Sequence, residues 1–189
     1  MIRALYTDKE WVVNILINSF ANNKSVNYII KQDKRKLQRL KALMEYSFDI
    51  CYRYGDIFLS DNRQGCALIL IPERKQTTLQ SILSDIKLAI ATIGFANIRK
   101  AIKRESQIKA IHPKESIYYL WFIGVNTDVQ NKGVGSSLLK EVIAEGSAQQ
   151  KTICLETSTI TNVPWYEKLG FTTYKELDFG YRLFCMKRN

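Results

Sequence analysis

The chain has 189 residues, 46% hydrophobic and 24% charged, with nine glycines and three prolines. That balance fits one folded domain over residues 1–189 and argues against disorder, collagen-like repeats and solenoids. The formal charge of +10 favours anionic partners such as nucleic acid, acidic membranes or a polyphosphate, without choosing among them.

Met1 to Asp8 reaches polar and acidic residues too soon for a signal peptide, and the apolar stretch Leu88 to Ala96 is far shorter than the roughly 20 residues of a membrane span. The chain therefore reads as cytoplasmic, with no membrane partner. Ile2 to Leu5 predicts a short strand, and Thr7 and Asp8 cap a helix carrying Trp11, Val12, Ile15, Leu16 and Phe20 at helical spacing. A polar break from Ala21 to Ser25 follows. A second helix is expected from about Asp33 to Tyr52, with Leu37, Leu40, Leu43, Met44 and Phe48 on its apolar side. The basic run Lys31, Lys34, Arg35, Lys36, Arg39 and Lys41 has no interleaved aromatics and reads as a solvated face rather than a nucleic-acid patch.

Ile57 to Ser60 and Cys66 to Ile71, joined by the turn-forming residues Asp61 to Gly65, predict an antiparallel hairpin that Pro72 ends. Thr77 or Thr78 then caps a helix with a buried stripe from Leu79 to Ile93. Gly94 interrupts the pattern, and it restarts at Phe95 beside a basic face of Arg99, Lys100, Lys103 and Arg104. Residues 77–110 thus read as a helical insertion.

Ser116 to Val125 is almost wholly apolar and aromatic, as a central strand covered on both faces would be. Tyr118, Tyr119 and Trp121 offer an aromatic-binding site, although alternation sends some of them into the core. A helix from about Gly133 to Gln149 and a strand from Thr152 to Thr157 complete a candidate parallel βαβ unit. A short helix near Val163 to Leu169 and strands near Phe171 to Leu177 and Tyr181 to Lys187 follow.

Chemistry is concentrated after the central strand. In Gln130, Asn131, Lys132, Gly133, Val134, Gly135 and Ser136 the glycines permit close approach, and free amides at the start of the next helix point at an anion. GxGxxG fails because Leu138 stands where its third glycine belongs, and the P-loop order of Gly, Lys and Ser or Thr is absent. By itself the loop reads equally well as a strand-to-helix turn with no ligand. The widely spaced Cys51, Cys66, Cys154 and Cys185 read as buried reduced thiols, and with His112 as the sole histidine no metal site is expected. His112, beside Pro113 in a connecting loop, reads as a surface residue.

Three segments combine in order: Phe122 to Val125 with Gln130 to Gly135, then Cys154 to Ser158, then Asn162 to Phe171 with Pro164, Tyr166 and Gly170. Together they resemble the GNAT family of acetyl-CoA-dependent N-acetyltransferases, clearly from about Tyr118 to Lys187 and most closely in its puromycin N-acetyltransferase branch. Thr127 stands where many relatives have proline. The resemblance implies a mixed, mostly antiparallel α/β sheet flanked by helices, with a central parallel pair splayed at the cofactor site. It implies that Ile123 and Val125 offer backbone groups to pantetheine and that the 130–136 loop receives the pyrophosphate. It also implies that Asn162 contacts the cofactor arm and that Tyr166 protonates the departing thiolate.

Read alone, Tyr166 is a core aromatic and Asn162 a helix cap. Glu156 reads as the base that takes the amine's proton or, equally, as an ion-paired or substrate-orienting carboxylate. The expected partners are acetyl-CoA and a primary amine, most simply of a small molecule, acetylated by direct attack; a homodimer is possible. A protein lysine or N-terminal acetyltransferase and a non-catalytic module binding acyl-CoA or nucleic acid are the alternatives.

Overall fold

The computed structural model describes residues 1–75 and 95–189. The helix expected from Thr77 or Thr78 to Ile93 lies outside the described residues, as does the break at Gly94. The chain begins with β1 (Ile2–Arg3), α1 (Lys9–Phe20), α2 (Lys24–Ile29) and α3 (Lys36–Tyr54), followed by the hairpin β2 (Gly55–Leu59) and β3 (Gly65–Leu70). After α4 (Phe95–Ile111) come β4 (Ile117–Val125), α5 (Val134–Ala148), β5 (Thr152–Thr157), α6 (Val163–Lys168), β6 (Thr172–Asp178) and β7 (Arg182–Arg188).

The strands form one seven-stranded sheet in the order β1-β2-β3-β4-β5-β7-β6. Only β4 and β5 run parallel, so this is the mixed, mostly antiparallel sheet that the resemblance implied. Period-two alternation decides what each face carries. Ile57, Leu59, Cys66 and Leu68 pack with Val12, Leu16, Leu40, Met44 and Phe48 of α1 and α3. Phe58, Ala67 and Ile69 pack on the other face with Leu138, Leu139 and Val142 of α5.

The four cysteines are free and buried. Burial pushes the thiols of Cys66, Cys154 and Cys185 up to about 12, so they stay protonated at neutral pH. None of the described helices is long and apolar enough to cross a membrane.

Some expectations need correction. The break at Ala21 to Ser25 runs into α2, whose six residues are too few for a periodic signal. It is held instead by Asn23, whose side chain accepts from the Val26 amide at 3.1 Å, and by buried Val26. Leu37, counted on the apolar side of α3, lies in its first turn and is 64% exposed. Trp11 is half-exposed, and its indole donates to the Arg63 carbonyl across the hairpin turn. Arg104, placed by its spacing on a basic outer face, turns inward and is buried, whereas Arg99, Lys100 and Lys103 are exposed.

Gly55, where α3 turns into β2, approaches the facing strand too closely for any side chain: a Cβ there would stand 1.9 Å from the Ile69 carbonyl oxygen. Gly55→Ala must therefore move backbone, an overpacking cost of about 1–3 kcal/mol. It is expected to lower the urea midpoint with little change in slope, and a midpoint equal to wild type would show that the hairpin yields freely.

Candidate active site

The site opens where the parallel pair comes apart. β4 pairs with β5 at Ile117↔Thr152, Tyr118↔Ile153 and Tyr119↔Cys154 and no further, while β4 stays paired with β3 out to Val125. A bulge in that second ladder, between Leu68↔Phe122 and Ile69↔Leu120, gives β4 one extra residue, Trp121. Trp121 and Phe122 consequently pack toward the same face, the α1 and α3 cluster, although they are adjacent in sequence. Beyond the bulge the β5-facing backbone of β4 has no strand partner, and a cleft of about 770 Å³ fills the gap.

Past Val125 the chain enters the glycine loop. Asn131 (φ 60°) and Gly133 (φ 85°) both take left-handed backbone, which curls the loop just before α5. The Ser137 amide donates to the Gly133 carbonyl at 2.9 Å, which starts the helical ladder. The amides of Val134, Gly135 and Ser136 precede it and have no carbonyl partner among the described residues. Such first-turn amides form an anion cradle. At Gly135 a Cβ would lie 3.3 Å from the Val125 side chain, so a larger residue would intrude on the cradle's wall. The Trp165 indole donates to Ser136 Oγ at 2.9 Å and ties α6 to the start of α5.

Ile123, Val125, Gln130, Asn131, Gly133, Gly135 and Ser136 line the cleft. Lys132 and Val134 do not: Lys132 is exposed, and the Val134 side chain packs beside Gly65 of β3. Asn162 stands at the N-cap of α6, but its side chain makes no capping bond and faces the cleft, so helix capping does not account for it.

Tyr166 also lines the cleft, wedged between Trp165 and Phe171, and is 5% exposed. Its hydroxyl makes no hydrogen bond with the described residues. Burial alone pushes the phenol above its ordinary range. It therefore keeps its proton at neutral pH, as a general acid must.

The cleft floor lies where the strands part. Glu156, its side chain 6% exposed, accepts a short hydrogen bond from the Tyr119 hydroxyl and meets His112 Nε2 at 3.2 Å. Burial first, and then the Glu156 charge, pushes the Tyr119 phenol well above its ordinary range. His112 is thus not the surface residue expected: the end of α4 carries it against β4 and β5, where its ring packs 5.2 Å from that of Tyr119. Beside this trio, Arg104 bonds Ser25 at 2.6 Å, Tyr181 at 3.0 Å and Glu105 at 2.6 Å, and Arg104, Glu105 and Ser25 all line the cleft.

Sequence reasoning offered Tyr119 only as one of three residues of an aromatic-binding site, and it missed His112 and Arg104 as site residues. Strand alternation could have separated Tyr119 from the buried Tyr118, but nothing local marks His112 or Arg104. No group of three or more His, Cys, Asp or Glu able to hold a metal occurs among the described residues.

Residues 85–173, just under half of the chain, match the family model for an acetyltransferase (GNAT) domain. The whole fold is similar to that of a structure described as histone acetyltransferase HPA2 and related acetyltransferase from Corynebacterium glutamicum. That pair shares 23% identity over 98% of this chain and 93% of the other, with a TM-score of 0.75. The C-terminal condensation domain of Ebony, solved with beta-alanyl-dopamine, aligns at TM-score 0.70 with 12% identity over 99% and 96% of the two chains. Arylalkylamine N-acetyltransferase 2 from Aedes aegypti aligns at TM-score 0.63 with 16% identity over 99% and 96%.

A probable serine/threonine-protein kinase of Dictyostelium discoideum is 34% identical over 77 residues, 41% of this chain. The chain spans only 8% of that protein's length, and the kinase name describes the whole of it. The fold and the splayed parallel pair agree with that match: residues 85–173 are similar to an acetyltransferase (GNAT) domain, and the sheet as a whole has the fold of the acetyltransferase structures above.

Proposed function

We propose that the protein is an acetyl-CoA-dependent N-acetyltransferase that acetylates a primary amine of a small molecule by direct attack, with donor and acceptor bound together. The observation that carries this reading is the cleft between β4 and β5. It joins an amide cradle, a protonated phenol without a hydrogen-bond partner among the described residues and a buried carboxylate along one pair of separating strands.

The donor's chemistry fits the residues present. The backbone of β4 at Ile123 and Val125, on the side from which β5 has parted, suits the amide-bearing pantetheine arm, with the Val125 carbonyl already accepting from Ser19 Oγ. The 130–136 loop suits a pyrophosphate, with Lys132 outside the cleft lining serving only as nearby charge. The free side chain of Asn162 suits a further polar contact with the arm. The resemblance of Asn162, Pro164 and Tyr166 to the puromycin N-acetyltransferase branch supports a small-molecule acceptor. So do similar folds in proteins described as an arylalkylamine N-acetyltransferase and as a domain bound to beta-alanyl-dopamine.

An amine reaches the cleft mostly as ammonium and must lose a proton before it can attack a thioester. In this reading Glu156 accepts that proton, directly or through water, and Tyr166 gives its phenolic proton to the departing thiolate. No covalent acetyl-enzyme is needed, since the buried thiols are held protonated.

Two measurements test the reading. Tyr166→Phe removes a proton donor and almost no bulk, so it should leave acetyl-CoA affinity unchanged by calorimetry and lower turnover by roughly 100-fold. Wild-type turnover in that variant would remove Tyr166 from the mechanism. Gly135→Trp, with folding verified by circular dichroism, should raise the Kd for desulfo-CoA by about tenfold or more, equivalent to ~1.4 kcal/mol. Unchanged affinity would move the donor elsewhere, and no acetyl-CoA binding by folded wild type would favour a non-catalytic module.

A further inference from the structure

We propose that His112 is the proton exit of the acceptor side, a relay residue behind Glu156 that carries the acceptor's proton out of the cleft. The inference rests on the reading of Glu156 as the group that accepts the ammonium proton.

Glu156 lines the cleft, and its side chain is nearly sealed from bulk water at 6% exposure. A carboxylate so placed must pass on each proton it takes before it can act again. His112 lies at the far side of that carboxylate. Its Nε2 is 3.2 Å from Oε1, its ring is outside the cleft lining, and its side chain retains 16% exposure. It therefore connects the cleft floor with solvent at the end of α4. Imidazole is also the one side chain whose ordinary pKa lies between pH 5 and 8, which suits a group that must both gain and lose a proton.

Among the described residues, the other groups around Glu156 do not offer a second route. Tyr119 on β4 donates to the other carboxylate oxygen, and burial with the Glu156 charge holds its phenol protonated. Cys154 on β5 and Cys185 on β7 feel the same charge, and burial pushes both thiols up to about 12. Tyr174 on β6 is likewise raised by burial, and its buried hydroxyl has no partner. Arg104 on α4 is a permanent cation that helps offset the carboxylate charge at Tyr119, and Glu105 adds a second carboxylate nearby.

The step balances in protons alone. An N–H bond of the ammonium breaks as an O–H bond forms on Glu156. That proton then moves to His112 Nε2, and the resulting imidazolium gives one proton to water. Nothing is oxidised or reduced, and the amine is left with the lone pair that attacks the donor.

Because His112 is the only histidine of these 189 residues, its imidazole signal is unambiguous in this chain. Glu156→Gln at neutral pH should shift the His112 Nε2 nitrogen resonance. An unchanged resonance would mean the two side chains are not in contact and would overturn the proposal.

Turnover is then read as CoA release from acetyl-CoA, with 2-phenylethylamine and a panel of primary amines as probes. His112→Ala should lose about tenfold or more in kcat and recover much of it when free imidazole is added. His112→Ala without loss, or with loss that imidazole does not restore, would overturn the relay. If Glu156→Gln retains full turnover, the reading of Glu156 itself fails. If Glu156→Gln is impaired while His112→Ala is not, only the relay fails. A wild type that binds acetyl-CoA but acetylates no amine overturns both.

Discussion

The separation of β4 from β5 after Tyr119↔Cys154 is the constraint from which the rest of the site follows. Parallel strands normally continue to pair, so something must hold each of them away. On one side, β4 remains laddered to β3 through Val125, and Ser19 Oγ of α1 donates to the Val125 carbonyl at 3.1 Å. Gly124 brings α1 that close: a Cβ there would stand 2.9 Å from Ser19 Oγ. On the other side, β5 pairs along its whole useful length with β7, from Ile153 to Thr157. The bulge at Trp121 gives β4 the bend that lets both fastenings hold at once. Backbone groups left open by this arrangement line a cleft instead of a ladder, which is how a sheet acquires an internal binding edge.

Two buried tyrosines show how environment divides the chemistry. Tyr119 and Tyr166 both have phenols raised by burial. Tyr119 already uses its proton as a hydrogen bond to Glu156, and the adjacent negative charge raises the cost of losing it. Tyr166 packs its ring against Trp165 and Phe171, and its hydroxyl makes no hydrogen bond with the described residues, so its proton is uncommitted there. In the proposed reaction one proton must leave the acceptor and another must reach the leaving thiolate. A carboxylate backed by hydrogen-bonding partners and a phenol without any are suited to those opposite tasks.

Most strands and long helices were legible in the sequence because burial writes itself as periodicity. β4 is apolar throughout since both its faces are covered, and α5 and β5 follow with clear helical and strand patterns. The glycine loop was legible because Gly133 and Gly135 mark conformations and approaches that side chains disfavour. Short α2 was not, because a cap and one buried valine hold it rather than a stripe. The bulge was invisible because it depends on how β3 meets β4. His112 lies 44 residues from Glu156 along the chain, and Arg104 lies 79 from Ser25. Only the path of α4 past α2 toward β4 and β5 brings either pair together, and no local spacing encodes that path.

The basic composition bears on approach rather than on chemistry. The exposed cations of the 31–41 run and of α4 lie outside the cleft, whose charged lining groups among the described residues are Arg104, Glu105 and Glu156. Long-range attraction from a chain of net charge +10 draws an anionic donor toward the protein. Inside, binding must be decided at short range, where the amides ahead of Ser137 offer partial positive charge without a buried cation to desolvate. The floor carries the opposite sign, two carboxylates against one guanidinium, and so favours a cationic amine. The two proposed substrates thus differ in charge, and the cleft presents a complementary field to each at separate places along one opened strand pair. Neither has to displace the other's charged partner to bind, which is the electrostatic condition for holding donor and acceptor together in direct transfer.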